Sequence, residues 1–218
     1  MGKVKFYIQS GYKDRSVLGL MSKNYNIKFS AQGPIEPDRV PLGSVEWTEG
    51  LLGRYVCPDF FPEFLSQHIK REWHYTDIWP ETRMFIKSSE QHKHWDSGFS
   101  DEITRRKGNF LVSEPVEWIN EYRYYVADGR VLGAWWYWGR TSDKNQIHVG
   151  SDPPDAPELD VEWPEYYCGA VDFGELPDGT MSLVEANAPY ACGWYGDQKD
   201  IEIFANFAEA GWRYINSR

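Results

Sequence analysis

The chain is short of cysteine, of long apolar runs and of positive charge, and each shortage excludes a class of protein. Three cysteines, Cys57, Cys168 and Cys192, occur in 218 residues. An odd, sparse set without ligand spacing makes neither a disulfide framework nor a zinc site, and is expected of reduced thiols in a cytosolic protein. No stretch approaches the roughly 18 apolar residues of a membrane span, and the first residues carry no apolar core of a secretion signal. Gly2 would suit N-myristoylation, but that motif asks for Ser or Thr where Phe6 stands. Lys and Arg total 23 against 33 Asp and Glu, a formal net charge of -10. That balance argues against nucleic-acid binding, which is driven by cationic surface. Arg105, Arg106 and Lys107 cluster, and a solvated loop accounts for them.

What is present is a folded chain with an unusual load of rings. Hydrophobic residues make up 41% and charged residues 26%, enough for one core or for two small lobes around a cleft. The 11 Trp, 14 Tyr and 11 Phe must fill a core, line a cleft or form an interface, and exposed rings would suit a homodimer.

Periodicity predicts an α+β chain with antiparallel hairpins and few helices. Residues 3–8 alternate as a strand, and residues 33–53 read as a Gly- and Pro-rich loop with one short strand. Phe64, Leu65, Ile69 and Trp73 have helical spacing over residues 62–73. Residues 82–87 and 109–116 read as strands, with a polar loop over 88–98 between them. Residues 121–126 and 130–138 form a hairpin around Asp128-Gly129, a dipeptide suited to turns in which both central residues take positive φ. Residues 144–157 read as a connection. A second hairpin, 166–175 with 181–186, turns near Asp178-Gly179, and residues 200–215 form an amphipathic helix.

Chemistry concentrates in the second hairpin. Glu185 and Asn187 are two apart and share a face of an extended strand. The turn brings Asp172 alongside them. Two carboxylates in one small volume call for a cation, and hard oxygen donors suit Mg²⁺. On spacing alone, two unrelated surface acids and a turn asparagine before Pro189 fit equally well. Arg123 shares a face with Glu121, so it is either paired internally or aimed at a phosphate or carboxylate through its guanidinium fork. Lys87 closes a strand and Lys93 sits in the next loop, as solvated lysines or as a phosphate clamp. In Trp135-Trp136-Tyr137-Trp138 successive rings face opposite ways, one face toward core and one toward a cleft. Arg140 just beyond could hold an acidic substrate, and Trp194-Tyr195 could close the same pocket.

Taken in order, these motifs resemble the ATP-grasp ligases. The resemblance rests on Phe85-Ile86-Lys87, Leu111-Val112-Ser113-Glu114-Pro115-Val116, Glu121-Tyr122-Arg123 before Asp128-Gly129, Val171-Asp172-Phe173-Gly174 and Val184-Glu185-Ala186-Asn187-Ala188-Pro189. It covers about residues 82–195 and is nearest to a compact clade of bacteria and their phages. It implies an ATP-grasp domain over 81–218 behind a short N-terminal α/β region over 1–80, with ATP in a cleft between two lobes. It further implies that Lys87 and Lys93 contact phosphates, and that Ser113, Glu114 and Val116 lie against adenine. Glu121 would reach the ribose or orient Arg123, and Arg123 would hold the γ-phosphate or the incoming carboxylate. Asp172, Glu185 and Asn187 would bind Mg²⁺. The implied activity is an ADP-forming carboxylate–amine or carboxylate–thiol ligation through an acylphosphate, on a small molecule, peptide or protein, in the cytoplasm. The N-terminal part shows no glycine-rich nucleotide turn, and the 88–98 loop is not the usual Gly-rich cover. Rival readings are an ATP-sensing or aromatic-rich peptide- or glycan-binding module, and a Mg·ATP phosphotransferase.

Overall fold

The computed structural model describes residues 3–56, 59–89, 97–139 and 154–217. Strands β1 (Lys5–Ile8), β2 (Asn26–Phe29) and β3 (Arg39–Leu42) form a parallel sheet in the order β2-β1-β3. Parallel neighbours need crossovers, and the first carries helix α1 (Arg15–Ser22). Helix α2 (Val45–Leu52) follows β3. Both helices are eight residues long and begin at capping side chains. The Asp14 carboxylate accepts from Ser16 N at 2.8 Å, and Ser44 Oγ accepts from Trp47 N at 3.3 Å. α2 ends at Gly53, with φ 67°. The expected loop over 33–53 thus contains a helix as well as a strand. The helix expected over 62–73 is a 3₁₀ segment, Glu63–His68, leading into a strand. The backbone on either side of it covers the edge of another sheet: Ala186 N donates to Phe60 O at 2.9 Å and Lys70 N to Ser182 Oγ at 3.1 Å.

Two antiparallel four-stranded sheets make up most of the rest. The first joins β4 (Trp73–Thr76), β5 (Phe85–Ser88), β6 (Gly98–Phe99) and β7 (Phe110–Ser113) in the order β4-β7-β5-β6. The second joins β8 (Asn120–Ala127), β9 (Arg130–Gly139), β10 (Gly169–Glu175) and β11 (Met181–Asn187) in the order β11-β10-β8-β9. Asp128 and Gly129 both take positive φ, 50° and 70°, as the β8–β9 turn requires. The β10–β11 turn is wider, with Leu176 N donating to Thr180 O and only Gly179 at positive φ, 83°.

Helix α3 (Ile201–Asn216) presents Phe204, Phe207, Ala208, Gly211 and Ile215 as a buried stripe. The stripe joins Phe6, Ile8, Leu20 and Leu42 of the parallel sheet and its helix to Tyr125 of β8 in one core. A second core, around Tyr124, Val171, Phe173 and Leu183, lies on the other face of the β8–β11 sheet. The aromatic run divides accordingly: Trp135 packs on the first core and Trp136 on the second, so both faces of β9 are core there. Among the described residues no helix is long and apolar enough to cross a membrane. Arg105, Arg106 and Lys107 are exposed.

Candidate active site

The strands assemble a line of alternating charges. β10 lies between β8 and β11, with Asp172 opposite Arg123 on one side and opposite Glu185 on the other. Arg123 forks onto Asp172, Nε to Oδ1 and Nη2 to Oδ2, each at 2.7 Å. Both side chains are withdrawn from water, Asp172 at 2% and Arg123 at 9% exposure. The expected alternative pairing of Arg123 with Glu121 is not formed. Burial works against the Arg123 cation, but the adjoining Asp172 carboxylate prevails and holds its pKa well above the ordinary arginine value. Asn187 Nδ2 donates to Asp172 Oδ2 at 3.2 Å, so the two strands bring Asp172, Glu185 and Asn187 together.

Lys87 of β5 reaches across from the other sheet to form an ion pair with Glu185. Its ammonium also lies 3.6 Å from the centre of the Phe60 ring. Each carboxylate of the pair therefore already faces a protein cation. Glu121 accepts from Tyr137 Oη at 2.6 Å. Burial, opposed by that hydrogen bond, keeps the Glu121 pKa above the usual glutamate range. Tyr137 stacks on Tyr195, with ring centres 4.9 Å apart, and the Arg123 guanidinium lies 4.9 Å from the Tyr195 ring.

Two cavities meet at this line. One, of about 290 Å³, lies between the two antiparallel sheets and is lined by Lys87, Ser113, Glu114, Val116, Glu121, Tyr137 and Glu185. Glu114 N donates to Glu72 O at 3.0 Å, so that N–H is already partnered. The other cavity, of about 450 Å³, holds Arg123, Glu185 and Asn187 against Tyr12, Tyr190, Tyr195 and the first turn of α2. Glu185 and Phe60 line both. Trp194 is 1% exposed and belongs to the core, so of the Trp194-Tyr195 pair only Tyr195 forms a wall. Lys93 and Arg140 lie outside the described residues.

Among the described residues no three His, Cys, Asp or Glu side chains are grouped to hold a metal by themselves. The oxygens of Glu185 and Asn187, both on the wall of the larger cavity, have the hard character magnesium prefers. Asp172 has both carboxylate oxygens on Arg123 and lines neither cavity. Two residues that shape the smaller cavity, Arg71 and Trp118, gave no sequence signal.

Two antiparallel sheets closing over a cleft with a strand lysine on one side and a Glu-x-Asn strand on the other define an ATP-grasp fold. The chain belongs to a family described as an ATP-grasp domain, family 2 of its clade, which it matches over residues 64–201. ATP-grasp ligases as a class use ATP and magnesium. No curated protein sequence matches the chain. Among solved structures it is similar to D-cycloserine synthetase DcsG, with 13% identity over 94% of this chain and 99% of that one and a TM-score of 0.54. It is also similar to a D-alanine–D-alanine ligase from Bacillus anthracis complexed with ATP, with 12% identity over 100% of both chains and a TM-score of 0.51. At such identities the likeness is one of fold.

Proposed function

We propose that the chain is an ADP-forming ligase of the cytoplasm that joins a carboxylate to an amine or thiol. The observation that carries this reading is the junction at Glu185, where the cavity between the sheets opens beside the cavity holding Arg123. The smaller cavity would take ATP. Glu114 O and Val116 N would meet adenine, Glu121 the ribose hydroxyls, and Lys87 the phosphates. Glu185 and Asn187 would hold magnesium, which when bound neutralises charge on the phosphate oxygens. Asp172 fixes Arg123 and the Asn187 amide through three hydrogen bonds, and the remaining lone pair of its Oδ1 would be its one donor to the metal.

The larger cavity would take the carboxylate substrate, a small molecule or the end of a peptide or protein. Arg123 Nη1 makes no hydrogen bond among the described residues and would orient that carboxylate. A carboxylate oxygen attacks the γ-phosphorus, the bond to the β-bridging oxygen breaks, and ADP leaves. The amine or thiol then attacks the acyl carbon and phosphate departs. Positioning and charge neutralisation supply the catalysis, and no protein nucleophile is needed.

Calorimetry of ATP binding, with and without Mg²⁺, tests the reading on the wild type, Glu185→Ala and Glu185→Gln. The expected result is Mg²⁺-dependent binding, weakened about tenfold or more in both variants. The Gln variant retains an acceptor for Lys87 and so separates loss of the ligand from loss of the fold. A wild type that binds no Mg·ATP would sink the proposal.

A further inference from the structure

Tyr125 of β8 is wholly buried, and its ring packs edge-on against Trp135, Phe204 and Phe207. A phenylalanine would fill that place in the core equally well. What it would lack is the hydroxyl, and both partners of the hydroxyl are backbone groups of a single turn. Tyr125 Oη donates to Gly193 O at 2.6 Å and accepts from Tyr195 N at 3.1 Å. Burial raises the Tyr125 pKa well above the ordinary tyrosine value, against the pull of the nearby Arg123 cation, so the donor keeps its proton.

The turn that this hydroxyl holds carries costs of its own. Ala191 takes φ 53°, a left-handed conformation that favours glycine. Trp194 Nε1 is buried without a hydrogen-bond partner among the described residues. Such costs persist where the surroundings over-determine the conformation, and they gather at functional sites. Here the turn delivers one ring to Arg123. The guanidinium lies 4.9 Å from the centre of the Tyr195 ring, and Tyr137 backs that ring from a stacked position, with 20° between the two planes. Arg123 and Tyr125 are two residues apart on β8 and share a face. One strand therefore holds both the guanidinium and the hydroxyl that brings the ring to it. The fork onto Asp172 fixes one edge of the guanidinium but lets its plane tilt about that edge. An aromatic ring against the cation opposes the tilt.

We propose that Tyr125 is a positioning residue of the carboxylate site: its hydroxyl pins the turn at residues 193–195, the turn lays Tyr195 against Arg123, and the guanidinium is held at one tilt for the substrate's carboxylate. The proposal rests on the ligase reading of the larger cavity, which Arg123 and Tyr195 both line. A tyrosine serving only the core would act on stability and leave Arg123 where it is.

The test follows the Arg123 Nε–H signal by ¹⁵N NMR in the wild type, Tyr125→Phe, Tyr195→Leu and Tyr124→Phe, with acetate as the carboxylate probe. Tyr124→Phe is the control, because it removes a buried tyrosine's hydroxyl from the opposite face of β8, where it donates to Pro157 O at 2.7 Å. Loss of either hydroxyl should lower stability by a similar amount. In Tyr125→Phe and Tyr195→Leu the Arg123 signal should shift as it leaves the ring-current field of Tyr195, and acetate should bind about fivefold or more weakly. Tyr124→Phe should change neither. A Tyr125→Phe protein that is less stable but keeps the wild-type Arg123 signal and acetate affinity would overturn the positioning role while leaving the ligase reading intact. A wild type whose Arg123 signal does not respond to acetate would instead remove the carboxylate reading of the larger cavity, and Tyr125's role with it.

Discussion

Asp172 and Arg123 form the most deeply buried ion pair among the described residues, and removing one partner strands the other in a medium that cannot solvate it. Asp172→Asn keeps the shape and deletes the charge, so it should destabilise the fold by about 3–5 kcal/mol, read by urea denaturation. A loss under about 1 kcal/mol would mean that water reaches Arg123. Glu121 makes stability depend on pH. Burial raises its folded pKa above the unfolded value, so the folded state holds the proton more tightly. Its stabilising contribution is present below the ordinary glutamate range and is lost as pH rises through the folded pKa. Glu121→Gln should therefore gain stability on the wild type as pH rises above the ordinary glutamate range, and a pH-independent difference would contradict the shift. The gathering of Asp172, Glu185 and Asn187 was legible because one hairpin contains all three. Arg123's partner was not, because in the sequence Glu121 is two residues away, and the cross-strand neighbour depends on β8 pairing with β10, which no local pattern reveals.

The hairpins and α3 could be read in advance because their periodicities are long and their turns carry Asp-Gly. α1 and α2 could not. Each is only eight residues long with an interior glycine, and α1 leaves Leu18 and Met21 exposed, which blurs the apolar stripe. Asp14 and Ser44 were the available signals, as capping side chains. The segment before β4 misled because its apolar spacing serves a 3₁₀ turn on the second core, while its backbone covers β11. Gly174 of β10 gives Trp118 its seat: a Cβ there would collide with the Trp118 ring. Gly174→Ala should displace the indole from Arg71, destabilise the fold by about 1–3 kcal/mol and weaken nucleotide binding. Unchanged tryptophan fluorescence in the folded variant would show that the ring had not moved.

Across the whole molecule, α3 ties the parallel sheet to the β8–β11 sheet. Phe207 is 1% exposed and belongs to the core that both sheets share. Phe207→Ala should cost about 3–5 kcal/mol and leave a single unfolding transition followed equally by near- and far-ultraviolet dichroism. Two separated transitions would mean that the halves melt independently. The sequence pattern placed α3 and its apolar face, but not what the face would meet, since an amphipathic stripe says only that something covers it. The shared core also sets an order of events during synthesis. β1 to β3 leave the ribosome before α3, yet the face they offer to it stays wet until residues 201–216 have been added. With domains formed at the pace of translation and closure waiting on the most distant partner in the chain, the early sheet must persist as an open, unfinished surface. A nascent chain stalled before α3 should accordingly be sensitive to protease in β1–β3, and become resistant once α3 has emerged.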